Sequence, residues 1–286
     1  MTEIIDSLAD ISGDYDAVLC DLWGVYHDGI KPHEGAMSAL RGYRDRGGIV
    51  ALLTNAPRPD FSVAKQLGRM GAPEDTHDLI VTSGDATIAA LRHGDFGARA
   101  YHIGPERDYD LFEGLDIERA ALDEADFILC SGLFDDGTET PEDYAATYET
   151  ARDRGLVMVC ANPDVVVDRG ERRIWCGGAL AQAYEQAGGK ARYFGKPHRP
   201  IYDLALEKIA AQAGRSIDPS RILAIGDGPA TDVAGALEND FDCLFIAGGL
   251  AAEELLDASG ALRSDTLDPW LAVRNVAPQK ALAFLR

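Results

Sequence analysis

Four polar groups stand where apolar runs stop. Asp21 ends the run Ala17-Val18-Leu19-Cys20 and is followed at once by Trp23-Gly24-Val25. Thr54-Asn55 closes a run that begins at Ile49, Lys196 follows Tyr193-Phe194-Gly195, and Asp227 follows Leu223-Ala224-Ile225-Gly226. Short unbroken apolar runs read as strands covered on both faces, and in open α/β sheets ligands bind outside the carboxyl ends of such strands. The groups delivered there complement one another for phosphoryl transfer. A carboxylate at Asp21 can act as nucleophile and form an acyl phosphate. A second carboxylate, Asp227, can hold Mg²⁺, an ion that takes hard oxygen ligands together with phosphate oxygens. The Lys196 ammonium would offset the charge of nucleophile and phosphate, while the Thr54 hydroxyl and nearby backbone N–H groups cradle phosphate oxygens.

Positioning these groups requires a parallel sheet, and the chain has the pattern for one. Apolar runs alternate with segments of helical period along most of the sequence, which predicts α/β units. Strands are predicted at Ala17–Asp21, Ile49–Thr54, Leu79–Ser83, Arg99–Ile103, Phe127–Ser131, Val157–Ala161, Tyr193–Phe194, Ile222–Gly226 and Cys243–Ile246. Helical spacing covers Gly35–Arg46, Ser62–Met70, Pro141–Arg154, Gly178–Ala187, Ile201–Ala213 and Thr231–Asn239. Pro141 with Glu142 and Asp143 is a good helix start, and Gly155 a good stop. No internal repeat or long linker is present. The turn-rich stretches His93-Gly94-Asp95 and Gly188-Gly189 mark where the chain could leave one domain and return, making the middle third an insertion.

Taken in order, Asp21 with Gly24-Val25, then Thr54-Asn55, then Gly195-Lys196-Pro197, then Gly226-Asp227-Gly228-Pro229-Ala230-Thr231-Asp232 resemble the motifs of the haloacid dehalogenase superfamily. The resemblance covers nearly the whole chain. It points to the branch with a large α/β cap between the second and third motifs, which includes N-acetylglucosamine-phosphate-type, para-nitrophenyl-phosphate and phosphoglycolate phosphatases. The resemblance implies a Rossmann-like parallel sheet core from residues 1–93 and 191–286, with an inserted α/β cap at 94–190. It implies a Mg²⁺-dependent phosphohydrolase that works on a small phosphorylated metabolite through an aspartyl-phosphate. Asp21 would be nucleophile and metal ligand, with the Trp23 backbone carbonyl and Asp227 as further ligands. Asp232 would hold metal-bound waters or Lys196. Thr54 and Asn55 would grip the phosphate, and Lys196 would bridge it to Asp21. In the cap, Asn162 and Asp164 of Ala161-Asn162-Pro163-Asp164 are either substrate contacts or parts of a hydrogen-bonded loop. Arg58, held near the phosphate loop by Pro57 and Pro59, either assists an anionic substrate or lies on the surface.

Two residues depart from the pattern: Ala56 replaces a residue often polar there, a minor change, and the second bears directly on the chemistry. In typical family phosphatases an Asp stands two positions after the nucleophile, protonates the leaving oxygen and then activates water. Here that position is Trp23, whose indole N–H does not titrate. Losing general acid–base help costs about 10²–10⁴-fold in rate. Alkyl phosphates should suffer most, since they leave as basic alkoxides, whereas aryl or anhydride groups need little protonation. His27 and Asp28 are the nearby candidates to replace the acid. The alternative reading is a non-catalytic or regulatory protein that keeps the phosphate cradle without turnover. A receiver domain also uses Asp, Thr and Lys at strand ends, but it would be shorter and would need no insertion. No GxGxxG follows the first strand, which argues against a dinucleotide fold.

Composition narrows the partners. The 286 residues carry 27 Lys+Arg against 48 Asp+Glu, a formal charge of -21, which repels nucleic acid and anionic membrane surfaces. A small anionic substrate is admitted only where a metal or a local cluster of donors reverses the field. The five cysteines lack a CxxC pair and mostly end apolar runs, so buried free thiols in a reducing cytoplasm are expected. The first residues lack a signal-peptide pattern, and no run reaches the ~18 apolar residues of a membrane span. No His-x-His or His-x₃-His spacing supports a histidine metal site. The apolar residues from Trp270 to Leu285 would pack either on the core or against a partner, in which case a homodimer is the arrangement implied.

Overall fold

Most of the apolar runs fold as strands of two parallel sheets in the computed structural model, which describes residues 1–94, 96–169 and 172–286. Asp95, in the predicted crossing His93-Gly94-Asp95, lies outside the described residues. In chain order the strands are β1 (Glu3–Ile4), β2 (Ala17–Cys20), β3 (Ile49–Thr54), β4 (Leu79–Thr82), β5 (Arg99–Ile103), β6 (Glu118–Arg119) and β7 (Phe127–Cys130). They continue as β8 (Val157–Cys160), β9 (Val166–Arg169), β10 (Arg172–Trp175), β11 (Lys190–Tyr193), β12 (Ile222–Gly226), β13 (Asp242–Ile246) and β14 (Lys280–Leu282). The helices are α1 (Glu34–Asp45), α2 (Asp60–Arg69), α3 (Ser83–Arg92), α4 (Ala145–Asp153), α5 (Gly177–Gln186), α6 (Arg199–Ala213), α7 (Ala234–Glu238), α8 (Ala252–Leu255) and α9 (Ser264–Val273).

Contacts divide the chain into two units. The first comprises Met1–Thr54, Ala64–Val81 and Tyr202–Arg286; the second comprises Asn55–Val63 and Thr82–Ile201. The predicted insertion, 94–190, falls inside the second unit, which also takes in 55–63, 82–93 and 191–201.

The first unit is built on a sheet of order β1-β14-β13-β12-β2-β3-β4. From β2 the chain proceeds to β3 and β4 on one side, and β12, β13 and β14 occupy the other. The order therefore reverses between β2 and β12, a topological switch point where open α/β sheets place ligands. Their register pairs Ile225 with Cys20, so the two strands end side by side. α1 buries Ala36, Leu40 and Tyr43 at helical spacing, and the Tyr43 hydroxyl donates to the Tyr15 carbonyl at 2.8 Å. The C-terminal segment packs on this core: Leu271, Ala281, Leu282 and Leu285 are buried, and the Trp270 ring stacks on Phe245.

The second unit has a parallel sheet of order β11-β8-β7-β5-β6 and an antiparallel pair of β9 and β10. Alternation along its central strands fills two core layers. Ile128, Cys130, Met158 and Cys160 face one cluster, and Phe127, Leu129, Val159 and Ala161 face the other. All five thiols are free and buried. Among the described residues, no helix is long and apolar enough to cross a membrane.

Several elements differ from expectation for identifiable reasons. α3 was not predicted, because Ser83, Gly84, Ala86, Thr87, Ile88 and Leu91 are all buried and leave little polar face to show a period. Thr82 ends β4 and caps α3, its hydroxyl accepting the Asp85 N–H at 2.8 Å, so Ser83 belongs to the helix rather than the strand. β11 ends at Tyr193, before the predicted Phe194, and is an exposed edge strand without an apolar run. The predicted helix at Pro141 begins with a 3₁₀ turn, Pro141–Tyr144, whose Thr140 and Asp143 form a capping box before α4.

Candidate active site

The expected site residues fall into a group in each unit. In the first unit Asp21 follows β2 and Asp227 follows β12, both at the switch point, and the Asp21 N–H donates to the Ile225 carbonyl at 2.8 Å. Asp232 sits in a π-type turn, Pro229–Val233, that precedes α7; such turns cluster at functional sites. The three side chains are buried, and each brings a carboxylate oxygen within 4.8 Å of the others.

Three convergent buried carboxylates repel one another and suit a hard cation bound through oxygen. The donor set is all oxygen, so these residues fit Mg²⁺. Two glycines let the backbone close around it: a Cβ at Gly24, which has φ of +77°, or at Gly249 would collide with the Asp227 carboxylate. Asp227 Oδ2 accepts the Leu250 N–H at 2.8 Å, and Asp232 Oδ2 accepts the Gly228 N–H at 3.0 Å, which fixes both side chains. Thr54, the last residue of β3, is buried in the same unit.

Trp23 is half-buried, with its ring edge-on to His27 at a centroid distance of 5.1 Å and an interplanar angle of 75°. Gly29, at φ of +84°, leaves room for the indole, since any Cβ there would enter the Trp23 ring. His27 is 1% exposed, and burial, reinforced by the nearby His33, pushes its imidazole down to about 4. Its Nδ1 accepts the Gly29 N–H at 3.0 Å, so the neutral ring carries its proton on Nε2. A neutral imidazole is a poor proton donor and its basic nitrogen is already engaged. For Asp28, partial burial works upward, but the N–H groups of Lys31 and Ile30, each 2.8 Å from Oδ1, outweigh it and hold the carboxyl below its ordinary value. Neither residue is thus set up as the acid missing at position 23.

In the second unit Asn55 and Lys196 are 2% exposed and tied together. Asn55 Oδ1 accepts the Lys196 N–H at 2.7 Å, while Asn55 Nδ2 donates to the Lys196 carbonyl at 3.1 Å and to Asp164 Oδ1 at 2.8 Å. Both amide hydrogens are committed, so the Asn55 side chain has no further N–H to offer a phosphate. The Asp164 N–H donates to Asn162 Oδ1 at 3.2 Å, and both residues are partly buried. The expected pair Asn162 and Asp164 thus forms a hydrogen-bonded loop attached to Asn55. His198, a few residues beyond Lys196, stacks its ring on Tyr193 at 4.9 Å.

Arg58 lies 3.7 Å from Asp108, and its side chain is 21% exposed. Asp108 belongs to a buried row that the sequence did not reveal. Burial raises its carboxyl pKa, while a hydrogen bond from Ser131 and the charge of Arg58 act against the rise. Ser131 Oγ is in turn 3.0 Å from His102 Nε2, and burial pushes that imidazole down to about 4. A second unforeseen residue is Ser83, fully buried at the start of α3 next to Gly195. Its position directly after a strand was the available signal, the same one that marked Thr54-Asn55.

The buried acidic cluster lies at the switch point of an open parallel sheet, the place where proteins of the α/β class bind ligands. Residues 18–118 match the family model described as haloacid dehalogenase-like hydrolase, and residues 193–268 match the HAD-hydrolase-like model. A haloacid dehalogenase-like hydrolase from Brucella suis 1330 superposes with a TM-score of 0.88 at 42% identity, covering 99% of this chain and 100% of that one. The chain belongs to the haloacid dehalogenase-like hydrolases. It is 26% identical to the 5'-nucleotidase YutF of Bacillus subtilis (strain 168), over 84% of this chain and 90% of that protein. It is 27% identical to the ribonucleotide monophosphatase NagD of Escherichia coli (strain K12), over 84% of this chain and 91% of that protein.

Proposed function

We propose that this hydrolase cleaves phosphoric esters of a small metabolite, with Mg²⁺ and an aspartyl-phosphate at Asp21, and that Trp23 restricts it to good leaving groups. The observation that carries the reading is the convergence of the buried Asp21, Asp227 and Asp232 carboxylates within 4.8 Å. Related proteins named as a nucleotidase and a ribonucleotide monophosphatase support the phosphoester class.

In this mechanism Asp21, Asp227 and the Trp23 backbone carbonyl would hold Mg²⁺, with Asp232 beside them. When bound, the ion neutralises phosphate oxygens and lets an anionic nucleophile approach an anionic substrate. A carboxylate oxygen of Asp21 attacks phosphorus; the new O–P bond forms as the bond to the leaving oxygen breaks. The Thr54 hydroxyl and Asn55 backbone N–H donate to the phosphoryl oxygens, and Lys196, held by Asn55, balances their charge. Water then attacks the phosphorus of the acyl phosphate; the new O–P bond forms as the bond from phosphorus to the Asp21 oxygen breaks, and inorganic phosphate leaves with the water's protons, restoring the Asp21 carboxylate.

Both steps lack the customary proton carrier. Trp23 can neither protonate the leaving oxygen nor take a proton from water, and His27 is neutral with its basic nitrogen engaged. An aryl or anhydride leaving group departs without that proton, so the hydrolytic step becomes the slower one and the phosphoenzyme accumulates. The segment 94–190 is proposed as the cap that sets substrate choice, and Arg58 as a contact for an anionic substrate. Reduced, buried thiols support a cytoplasmic setting.

Rapid mixing with p-nitrophenyl phosphate and Mg²⁺, followed by intact-mass measurement, tests the reading. The wild type should acquire one phosphoryl group and show a burst of nitrophenolate, and Asp21→Asn should do neither. Full turnover by Asp21→Asn would rule out the nucleophile. The Trp23 arrangement also favours a second reading, a phosphometabolite-binding protein without turnover; tight binding of a metabolite with no phosphate release from any ester would establish it.

A further inference from the structure

Ser83 holds an unexplained group. Its side chain is fully buried, and its hydroxyl has no hydrogen-bond partner among the described residues. Leaving a buried hydroxyl unpaired costs about 1–3 kcal/mol, and native structures rarely tolerate it without a ligand, a water or a functional reason. The helix offers no remedy. A serine inside a helix can donate back to the carbonyl four residues earlier, but Ser83 is the first residue of α3 and has no helical carbonyl behind it. The capping acceptor for the Asp85 N–H is already Thr82, and the Ser83 carbonyl is taken by the Thr87 hydroxyl at 2.7 Å.

What surrounds the hydroxyl identifies its use. Gly195 passes so close that a Cβ on it would lie 2.6 Å from Ser83 Oγ and would also collide with Asn55 Oδ1. Ser83 Oγ and Asn55 Oδ1 therefore flank one glycine, immediately before Lys196. Asn55 Oδ1 is an amide oxygen with two lone pairs. One accepts the Lys196 N–H at 2.7 Å, and Ser83 is the neighbouring donor for the other. Both Nδ2 hydrogens of Asn55 are engaged by Asp164 and Lys196, so a donor to Oδ1 would complete the amide.

We propose that Ser83 is a positioning residue whose hydroxyl donates to Asn55 Oδ1 when substrate is bound, locking the clasp that places Lys196. The inference rests on the phosphohydrolase reading of Lys196. The bond is unmade in the resting protein and forms as the phosphate draws Lys196 to its working position, so it acts on kcat rather than on folding. Gly195 is needed because any side chain would stand between the two groups.

The test compares wild type, Ser83→Ala, Ser83→Thr, Asn55→Ala and the double variant Asn55→Ala/Ser83→Ala, with p-nitrophenyl phosphate and Mg²⁺. Ser83→Ala should lower kcat about tenfold with KM within about twofold, and its Tm should stay level or rise, because no resting hydrogen bond is lost. Ser83→Thr should recover kcat, and where the added methyl lowers its Tm, Ser83→Cys serves as the rescue variant. In the Asn55→Ala background, Ser83→Ala should have no further effect, which a purely structural role would not produce. An unchanged kcat in Ser83→Ala, a loss matched by a fall in Tm, or additive losses in the double variant would overturn the proposal. Inactive wild type, or an Asp21→Asn variant as active as wild type, would instead overturn the phosphohydrolase reading beneath it.

Discussion

Asn55 clasps Lys196 from both sides of its backbone, accepting the Lys196 N–H at 2.7 Å and donating to the Lys196 carbonyl at 3.1 Å. Residues separated by most of the second unit's length are thereby fixed to each other, and the remaining amide hydrogen extends the clasp to Asp164.

Breaking the clasp should misplace Lys196 without removing it. Asn55→Ala removes two bonds to the Lys196 backbone and one to Asp164, a stability cost of about 1–3 kcal/mol. A catalytic group displaced by about 1 Å can lose about 10²-fold in rate, so kcat should fall by one to two orders of magnitude. Steady-state kinetics beside a denaturation curve separates the two effects; a kcat equal to that of wild type would show that the clasp does not matter for turnover.

Restoring a carboxylate at position 23 should change substrate range more than peak rate. Trp23→Asp is expected to raise alkyl-phosphate hydrolysis by up to about 10²–10⁴-fold, with a far smaller effect on p-nitrophenyl phosphate. The ratio of the two rates is the quantity to measure. If it does not move, Trp23 is not what limits turnover.

Mg²⁺ should stabilise the protein as well as activate it. The buried Asp21, Asp227 and Asp232 carboxylates repel one another without a cation, so Asp227→Asn should raise the Tm of EDTA-treated protein. Adding Mg²⁺ should raise the wild-type Tm, since a ligand at 100 times its Kd contributes about 2.7 kcal/mol, and the Asp227→Asn variant should lose most of that shift. Calorimetry with and without the metal checks this, and a wild-type Tm indifferent to Mg²⁺ would contradict it.

Acid should weaken the second unit through His102. Burial first, then the nearby Arg119, lowers this imidazole from 6.5 to about 4 in the folded protein. Between those values the unfolded chain binds the extra proton, so stability is full above pH 6.5 and falls as pH drops toward 4. The shift corresponds to roughly 3 kcal/mol. Asp108, whose carboxyl is raised by burial, contributes in the opposite sense: its protonated form is favoured in the fold, which partly offsets the loss at low pH. Urea denaturation at stepwise pH should show a shallower decline for His102→Gln than for wild type.

The sequence alone determined the strands that end in chemistry. Ala17–Cys20, Ile49–Thr54 and Ile222–Gly226 are buried on both faces, so their apolar runs were continuous and their polar ends conspicuous. The four ordered motifs placed the chain among the haloacid dehalogenase-like hydrolases for the same reason. Where an element is exposed on one side or buried all round, the pattern fades: edge strand β11 and helix α3 carried no usable periodicity. Only the tertiary structure decided which groups meet. Sequence order cannot show that Asp232 turns back on Asp21 and Asp227, because the turn depends on a π-type bend and on two glycines closing over Asp227. Nor could it show that the Asn55 amide is already committed to Lys196 and Asp164, that His27 is buried in its neutral form beside Trp23, or that the Ser83 hydroxyl, beside Gly195, has no partner among the described residues. Hydrogen-bond partners and burial are properties of packing between distant segments, and local sequence carries no record of them.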